Sequence, residues 1–279
     1  MKFLFDSTKN LVTWRGTVQD VANCIAEGIK GANKTTVASF NDYVIDESGA
    51  HNEWAGGSLE TALTIPSLDT FLKAKQDLVK SGILRGIKPE STFKAKRRRV
   101  LSEHDGDWSF ERRWDLKPFS STHREQAPVP HIEILADFSI SGMHSSKNVD
   151  EYGAYVWSIA QILEDMGVST TIGIQNNTDW QGDGHSLITV IAKQSGTYIS
   201  PQALAQVFRS CYYRRAIFGM MAEARASANK TCGPNFGRPT QYQDSCSYND
   251  GVLHFKIGCA KNPVQTIEAF KQIFGGTKS

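Results

Sequence analysis

The sequence lacks the features that mark membrane, secreted and disulfide-rich proteins. No apolar run approaches the roughly 20 residues that a membrane-spanning helix needs, and residues 1–10 lack the apolar core of a signal peptide. The 5 cysteines are scattered and never spaced as C-x-x-C, a pattern that favours reduced thiols over a disulfide framework. We therefore expect a cytoplasmic protein that has no membrane partner.

Strong catalytic motifs and an excess of charge of one sign are also missing. The chain has neither a G-x-S-x-G nucleophile turn nor a phosphate-binding G-x-x-x-x-G-K-[ST] loop. Its 31 basic residues nearly balance its 29 acidic residues, so the overall charge indicates no particular partner. We predict that the protein is not an enzyme. The remaining enzymatic alternative is an Mg²⁺-dependent hydrolase that uses Asp137, His144, Asp183 and His185.

The C-terminal half shows a regular alternation of strand and helix patterns. Strands that are almost continuously apolar favour a parallel sheet covered by helices. We therefore predict an α/β fold with a mainly parallel sheet flanked by helices for residues 128–279. The predicted strands are 131–137, 168–174, 187–193 and 252–258, and the predicted helices are 149–167, 200–226 and 263–274.

The long predicted helix over 200–226 carries Arg209, Arg214 and Arg215. They could meet an acidic partner. We expect instead that Arg209, Arg214 and Arg215 are exposed to solvent and form local ion pairs of little energetic value.

The N-terminal half gives a smaller α+β region of short elements. A helix is predicted from Thr17, a suitable N-cap, to about Lys30, and a second helix over 71–81. Residues 117–130 contain three prolines and a Ser-Ser-Thr run, which is typical of a linker. We therefore predict two domains, 1–127 and 128–279. The alternative is that 117–130 forms one long loop inside a single fold.

Residues 93–116 combine basic and aromatic side chains around an Asp-Gly turn signal. We predict a β-hairpin, whose cations could bind phosphates while its aromatic rings stack on bases. The alternative is an exposed hairpin whose long cationic side chains cover apolar surface. The residues that would contact nucleic acid or another anionic partner are Lys94, Lys96, Arg97, Arg98, Arg99, Trp108, Arg112 and Arg113.

A carboxylate and two hydroxyls follow the predicted strand 131–137 in the pattern D-x-S-x-S. Asp137, Ser139 and Ser141 place three oxygens on the rim of one loop. Ligands bind outside the carboxyl ends of strands in parallel α/β sheets, and Mg²⁺ prefers oxygen ligands. The alternative is structural: Asp137 caps the loop, and the serines hydrogen-bond the backbone of a tight turn.

The strand, the D-x-S-x-S motif and the amphipathic helix after them resemble von Willebrand factor A-like domains. In that family the motif forms most of a metal-ion-dependent adhesion site that holds Mg²⁺. The resemblance implies a threonine ligand from a second loop, for which Thr178 is the candidate. The family also supplies an aspartate at the end of a later strand, where this chain has Lys193. We expect a lysine aimed at the site to repel a divalent cation unless the carboxylate of Asp179 or Asp183 compensates for its charge.

A basic-aromatic stretch before the motif and a helix with the paired arginines Arg214 and Arg215 after it make the whole chain look like a group of tailed-phage proteins that carry such a domain. The predicted function is therefore a non-enzymatic protein-interaction module, an adaptor or inhibitor that acts on another protein such as a host factor. A bound Mg²⁺ would accept a carboxylate from that partner. The alternative function is a regulator that binds DNA or RNA through residues 93–116.

Overall fold

The structure is a computed structural model. It describes residues 3–32, 48–82, 131–140, 144–179, 184–228, 246–255 and 264–275. The chain divides into two compact units, of which the first is Met1–Ile87 with His131–Ser279 and the second is Lys88–Pro130. All described residues belong to the first unit. The predicted division into 1–127 and 128–279 does not coincide with this grouping, because the first 87 residues lie in the same unit as the C-terminal half.

The described residues form a seven-stranded sheet with the order β1-β2-β5-β4-β3-β7-β6. The pairs β2–β5, β4–β3 and β3–β7 are parallel, whereas β1–β2, β5–β4 and β7–β6 are antiparallel. The predicted α/β class is confirmed, and the sheet is mixed. The strands are Leu4–Asp6 (β1), Leu11–Thr17 (β2), His131–Asp137 (β3), Ser169–Asp179 (β4), His185–Lys193 (β5), Ser247–Asn249 (β6) and Val252–Phe255 (β7).

Serine side chains cap several of the helices in the described ranges. Ser145 Oγ accepts a hydrogen bond from the N–H of Asn148, and Ser200 Oγ accepts one from Ala203 ahead of the long predicted helix. The helices are Val18–Ala32 (α1), Gly49–Ala55 (α2), Leu59–Leu63 (α3), Asp69–Lys80 (α4), Ser146–Asp165 (α5), Pro201–Val207 (α6), Phe218–Ser227 (α7) and Val264–Gly275 (α8).

Strand β2 joins the N-terminal segment to the sheet, and the sequence analysis missed it. It pairs with β5, with Trp14 opposite Ile188. Its side chains alternate, since Val12 and Trp14 are buried whereas Arg15 is exposed. This period of two is the sequence signal of a half-buried strand. On the other face, the Arg15 guanidinium lies 2.7 Å from the Glu133 carboxylate of β3.

One face of the sheet forms the core. The register places most of the buried side chains of the central strands on this face, because side chains alternate along a strand, whereas Leu135, Thr189 and Ile191 are buried on the other face. The α5 helix packs here, with the Tyr155 ring against Phe255 of β7. Full burial of one aliphatic side chain stabilises the folded protein by about 1.5–3 kcal/mol relative to leaving it exposed. The core side chains of this face include Trp14, Ile134, Ala136, Ile172, Ile174, Ile188, Val190 and Phe255.

The predicted 200–226 helix is divided into parts. The α6 helix ends at Val207, and a π-helical turn, Tyr212–Ile217, precedes α7. Arg214 and Arg215 lie in this turn and are 1% and 0% exposed. The expectation that these two arginines face solvent is wrong, because their guanidinium groups donate to buried carbonyl groups of the α2–α3 region.

A close approach between helices fixes the position of α5. A methyl group added at Gly153 would lie 1.7 Å from the carbonyl oxygen of Phe208, just after α6. Only glycine allows this contact between the α5 helix and the backbone at the end of α6. The α5 helix begins directly after the D-x-S-x-S loop, so this contact also helps to position the candidate site.

Candidate functional site

The D-x-S-x-S motif lies at the carboxyl end of β3, inside the sheet. Its strand has parallel neighbours on both sides, β4 and β7. The carboxyl ends of such strands are where α/β proteins bind ligands. The α5 helix starts at Ser146, so the strand, the polar loop and the long helix follow one another as the sequence predicted.

Asp137 holds the start of the loop with its own side chain. The carboxylate oxygen Oδ1 accepts a hydrogen bond from the backbone N–H of Ser139 at 2.8 Å. This contact is the turn-capping interaction of the structural alternative. It occupies one carboxylate oxygen. Among the described residues, no donor is recorded for Oδ2 of Asp137, and the residue is half-buried.

Ser139 joins the loop to the neighbouring strand. Its hydroxyl oxygen accepts a hydrogen bond from the backbone N–H of Asn177 at 2.7 Å. The preceding residue, Phe138, donates its N–H to Gln175 O at 2.7 Å. The loop therefore stays bound to β4 beyond the end of β3, and the Ser139 hydroxyl has a fixed position.

The structure does not bring Thr178 to Asp137. Thr178 lies within β4 and is fully buried, with its hydroxyl 2.8 Å from that of Ser186. Asp137 is paired with Gln175, so Asn177 shares the face of Asp137 and Thr178 occupies the opposite face. Asp179 ends β4, and its side chain lies outside the described residues, as does Ser141.

Lys193 lies at the other end of the sheet from Asp137. Because β5 is antiparallel to β4, Lys193 pairs with Ile172 near the start of β4. Its Nζ lies 2.7 Å from the Glu164 carboxylate and donates to Thr170 O at 3.2 Å. The expectation that this lysine faces the site and repels a cation is wrong, because the predicted strand direction was wrong.

Two asparagines that the sequence analysis missed lie beside the loop. Asn176 and Asn177 follow Gln175 on β4, and the Oδ1 atom of each is buried without a hydrogen-bond partner among the described residues. A buried acceptor left unpaired costs about 1–3 kcal/mol. No sequence signal identified them, because the polar run QNNTD is typical of a loop and not of a strand.

Two tyrosine hydroxyls lie beneath the loop. Asn176 Nδ2 donates to Tyr213 Oη at 3.1 Å and to Phe138 O at 3.3 Å, and the N–H of Ile140 donates to Tyr213 Oη at 3.4 Å. Burial raises the pKa of Tyr213, so its hydroxyl stays protonated. The Tyr152 hydroxyl lies 3.2 Å from Asp137 O and 2.8 Å from Phe255 O.

A buried arginine cluster borders this network. Arg214 donates to the carbonyls of Trp54 and His144, and its guanidinium lies 4.5 Å from the Trp54 ring centre. Burial lowers the pKa of Arg214, and the nearby Asp150 carboxylate opposes this shift. The same burial raises the pKa of Asp150, whose carboxylate accepts a 2.7 Å hydrogen bond from the Ser210 N–H.

The Arg215 side chain also bonds to the α2–α3 segment. Its Nε donates to Gly57 O at 3.1 Å, and its second terminal nitrogen donates to Asn52 Oδ1. Together the two arginines bind the α2–α3 segment, while Arg214 also holds the backbone before α5. The cluster therefore connects the outer helices to the start of α5.

The predicted nucleic-acid contacts over 94–113 lie outside the described residues, as does Asp183 of the hydrolase alternative. Where side chains are described, no group of three His, Cys, Asp or Glu residues is arranged to hold a metal ion. No helix in the described ranges is long and apolar enough to cross a membrane.

The fold and site define an α/β protein with a mixed sheet and an oxygen-rich loop at the end of a central strand. A family model described as a domain of unknown function, DUF7192, matches residues 116–278. The match covers more than half of the chain, and the protein belongs to this family. It includes Asp137, Ser139, Asn177 and Tyr213, whereas β1, β2 and α1 precede it. Comparisons with curated proteins and with solved structures found no match.

Proposed function

We propose that the protein is a non-enzymatic protein-interaction module that holds Mg²⁺ at the loop after β3. The observation that carries this proposal is the arrangement of three kinds of oxygen at the end of one central strand. The Asp137 carboxylate and the Ser139 hydroxyl come from the loop, and the Asn177 amide oxygen belongs to the adjacent strand. The resemblance to von Willebrand factor A-like domains supports the same assignment.

The residues present fit a hard cation. Carboxylate, hydroxyl and amide oxygens are ligands that Mg²⁺ accepts, and Mg²⁺ keeps several waters when few protein ligands are available. The buried Oδ1 of Asn177 has no partner among the described residues, and a cation would satisfy it. Asp137, Ser139 and Asn177 would hold the ion, with Ser141 completing the set that the resemblance implies. Thr178 is not part of the proposed ligand set, because its hydroxyl lies on the opposite face of the sheet from Asp137.

The chemistry of such a site suits docking of a partner. One carboxylate and neutral oxygens leave the cation with net positive charge, which attracts an aspartate or glutamate side chain. The partner would then be a protein that presents an acidic residue to this loop. An adaptor or inhibitor in a host cytoplasm, acting on a host factor, is the role that the resemblance to phage proteins favours.

Calorimetric titration with Mg²⁺ tests whether the protein binds the cation, and Asp137→Asn is the decisive variant. We expect the substitution to weaken Mg²⁺ binding at least tenfold, because it removes the only charged ligand of the proposed set. Asp77→Asn is the matched control, since Asp77 is an exposed carboxylate on α4. It should bind Mg²⁺ like the unmodified protein. Equal binding by both variants would contradict the assignment of Asp137.

A pull-down from host extract, with Mg²⁺ and again with chelator, tests the docking function. We expect an acidic partner to be retained in Mg²⁺ and lost in chelator or with Asp137→Asn. The alternative function, nucleic-acid binding through residues 93–116, predicts affinity that falls steeply with salt. A gel-shift assay with DNA and RNA at two salt concentrations distinguishes the two functions.

A further inference from the structure

We propose that Tyr213 is a positioning residue for the D-x-S-x-S loop, and that its hydroxyl sets the cation affinity of Asp137 and Ser139. The inference rests on the proposed function, since it concerns the same site. It adds Tyr213, which lies 72 positions after the last residue of the motif in the sequence and contacts neither the proposed ion nor the partner protein.

The Tyr213 hydroxyl bonds to both sides of the site. On the loop it accepts the N–H of Ile140 at 3.4 Å, and on β4 it accepts Nδ2 of Asn176 at 3.1 Å. Asn176 in turn donates to Phe138 O at 3.3 Å. The tyrosine therefore fixes the separation between the loop that carries Asp137 and Ser139 and the strand that carries Asn177.

The ring of Tyr213 is held independently of its hydroxyl. Its centre lies 5.5 Å from that of Phe138 and 5.1 Å from that of Phe218, and the residue is fully buried. Phe138 lies within the D-x-S-x-S motif itself. Because the ring is packed on both sides, Tyr213→Phe removes the hydrogen bonds and keeps the aromatic contacts.

The π-helical turn explains how the tyrosine and the arginines serve different regions. Tyr213 faces the loop and β4, whereas Arg214 and Arg215 face the α2–α3 segment. π-helical turns are rare and occur frequently at functional sites. Here three consecutive residues of the turn supply one hydroxyl that holds the loop and two guanidinium groups that hold the α2–α3 segment.

The test compares Tyr213→Phe with Tyr155→Phe. Tyr155 is also buried, and its hydroxyl lies 2.6 Å from Thr266 Oγ1 of α8, so each variant loses a buried tyrosine hydroxyl. Mg²⁺ titration and amide hydrogen exchange over residues 138–140 are measured for both. We expect Tyr213→Phe to bind Mg²⁺ about tenfold more weakly, the change in affinity that corresponds to one lost hydrogen bond, and to exchange faster. Tyr155→Phe should match the unmodified protein in both.

The outcomes separate this inference from the proposed function. If the unmodified protein binds Mg²⁺ and the two variants bind equally, the positioning role of Tyr213 is overturned and the cation site stands. If no form binds Mg²⁺ but only Tyr213→Phe exchanges faster at 138–140, the positioning role stands and the cation site is overturned. Unchanged exchange in Tyr213→Phe, or equal acceleration in both variants, overturns the positioning role.

Discussion

The hydroxyl oxygen of Ser139 accepts a 2.7 Å hydrogen bond from the backbone N–H of Asn177. This contact aligns the loop after β3 with the last residues of β4. The register of the two strands puts the side chain of Asn177 on the same face as Asp137, so the two strands together present the oxygens of the proposed cation site. The contact links residues 38 positions apart, which no local sequence pattern specifies.

Replacing Gly153 by alanine is expected to destabilise the protein by about 3 kcal/mol, at the upper end of overpacking effects. The added methyl group would lie 1.7 Å from Phe208 O, and backbone cannot yield as a flexible side chain does. Gly49→Ala is the control, because Gly49 begins α2 and nothing lies within 4 Å of the added carbon. It should stabilise by up to about 1 kcal/mol. Urea unfolding measures both, and equal midpoints would contradict the close approach.

Replacing Lys193 by methionine is expected to cost about 1–2 kcal/mol of stability and to leave Mg²⁺ binding unchanged. The cost arises because Glu164 loses its cation, in a pair that is partly screened by solvent. Mg²⁺ binding should not change, because Lys193 lies at the opposite end of the sheet from Asp137. Lys73→Met, at an exposed position on α4, is the control for stability. Tighter Mg²⁺ binding by Lys193→Met would place the lysine near the site after all.

The thiol of Cys24 on α1 is expected to resist alkylation at about pH 8, where an ordinary thiol is partly ionised. Burial and the carboxylates of Glu223 and Glu27 raise the pKa of Cys24 to about 12. Because the folded-state pKa lies above the ordinary value, this thiol contributes stability at neutral pH that is lost as the pH rises towards about 12.

Mass spectrometry after iodoacetamide treatment measures this protection site by site. The peptide that contains Cys24 should label slowly in the folded protein and at the rate of an ordinary thiol in concentrated urea. Fast labelling of Cys24 in the folded protein would show that the thiol is accessible and ionised.

The parts of the fold that the sequence predicted are those fixed by local patterns. Strand β3 is a continuous apolar run, and the predicted cap Thr17 directly precedes α1, where its hydroxyl accepts the N–H of Asp20 at 3.3 Å. The direction of β5 was predicted wrongly, because hydrophobic periodicity contains no information about strand sense. The sequence predicted that β4 ends at residue 174, which leaves enough residues before the next predicted strand for a crossover connection between parallel strands. In the structure β4 continues to Asp179, and the five residues before His185 are too few for a parallel connection.

The candidate site shows the same division between local and long-range information. The sequence located Asp137 and Ser139 at the end of strand β3, where the structure also has them, because the motif is local. It assigned Thr178 to a loop and missed Asn177, because the pairing of QNNTD with β5 extends the strand. It predicted exposure for Arg214 and Arg215, whose carbonyl partners lie about 160 residues earlier in the chain. Tertiary contacts of this kind override local propensity.

In the π-helical turn Tyr212–Ile217, the positions of the side chains depend on the number of residues as much as on their identity. A π-helical turn accommodates one residue more than an α-helix does over the same rise. Deleting one residue would rewind the segment as α-helix, which keeps the flanking helices in register but changes the directions in which the side chains of the turn itself point. Tyr213 and Arg215 could then not both keep their partners. Single-residue deletions here should therefore be far less tolerated than conservative substitutions at the same positions.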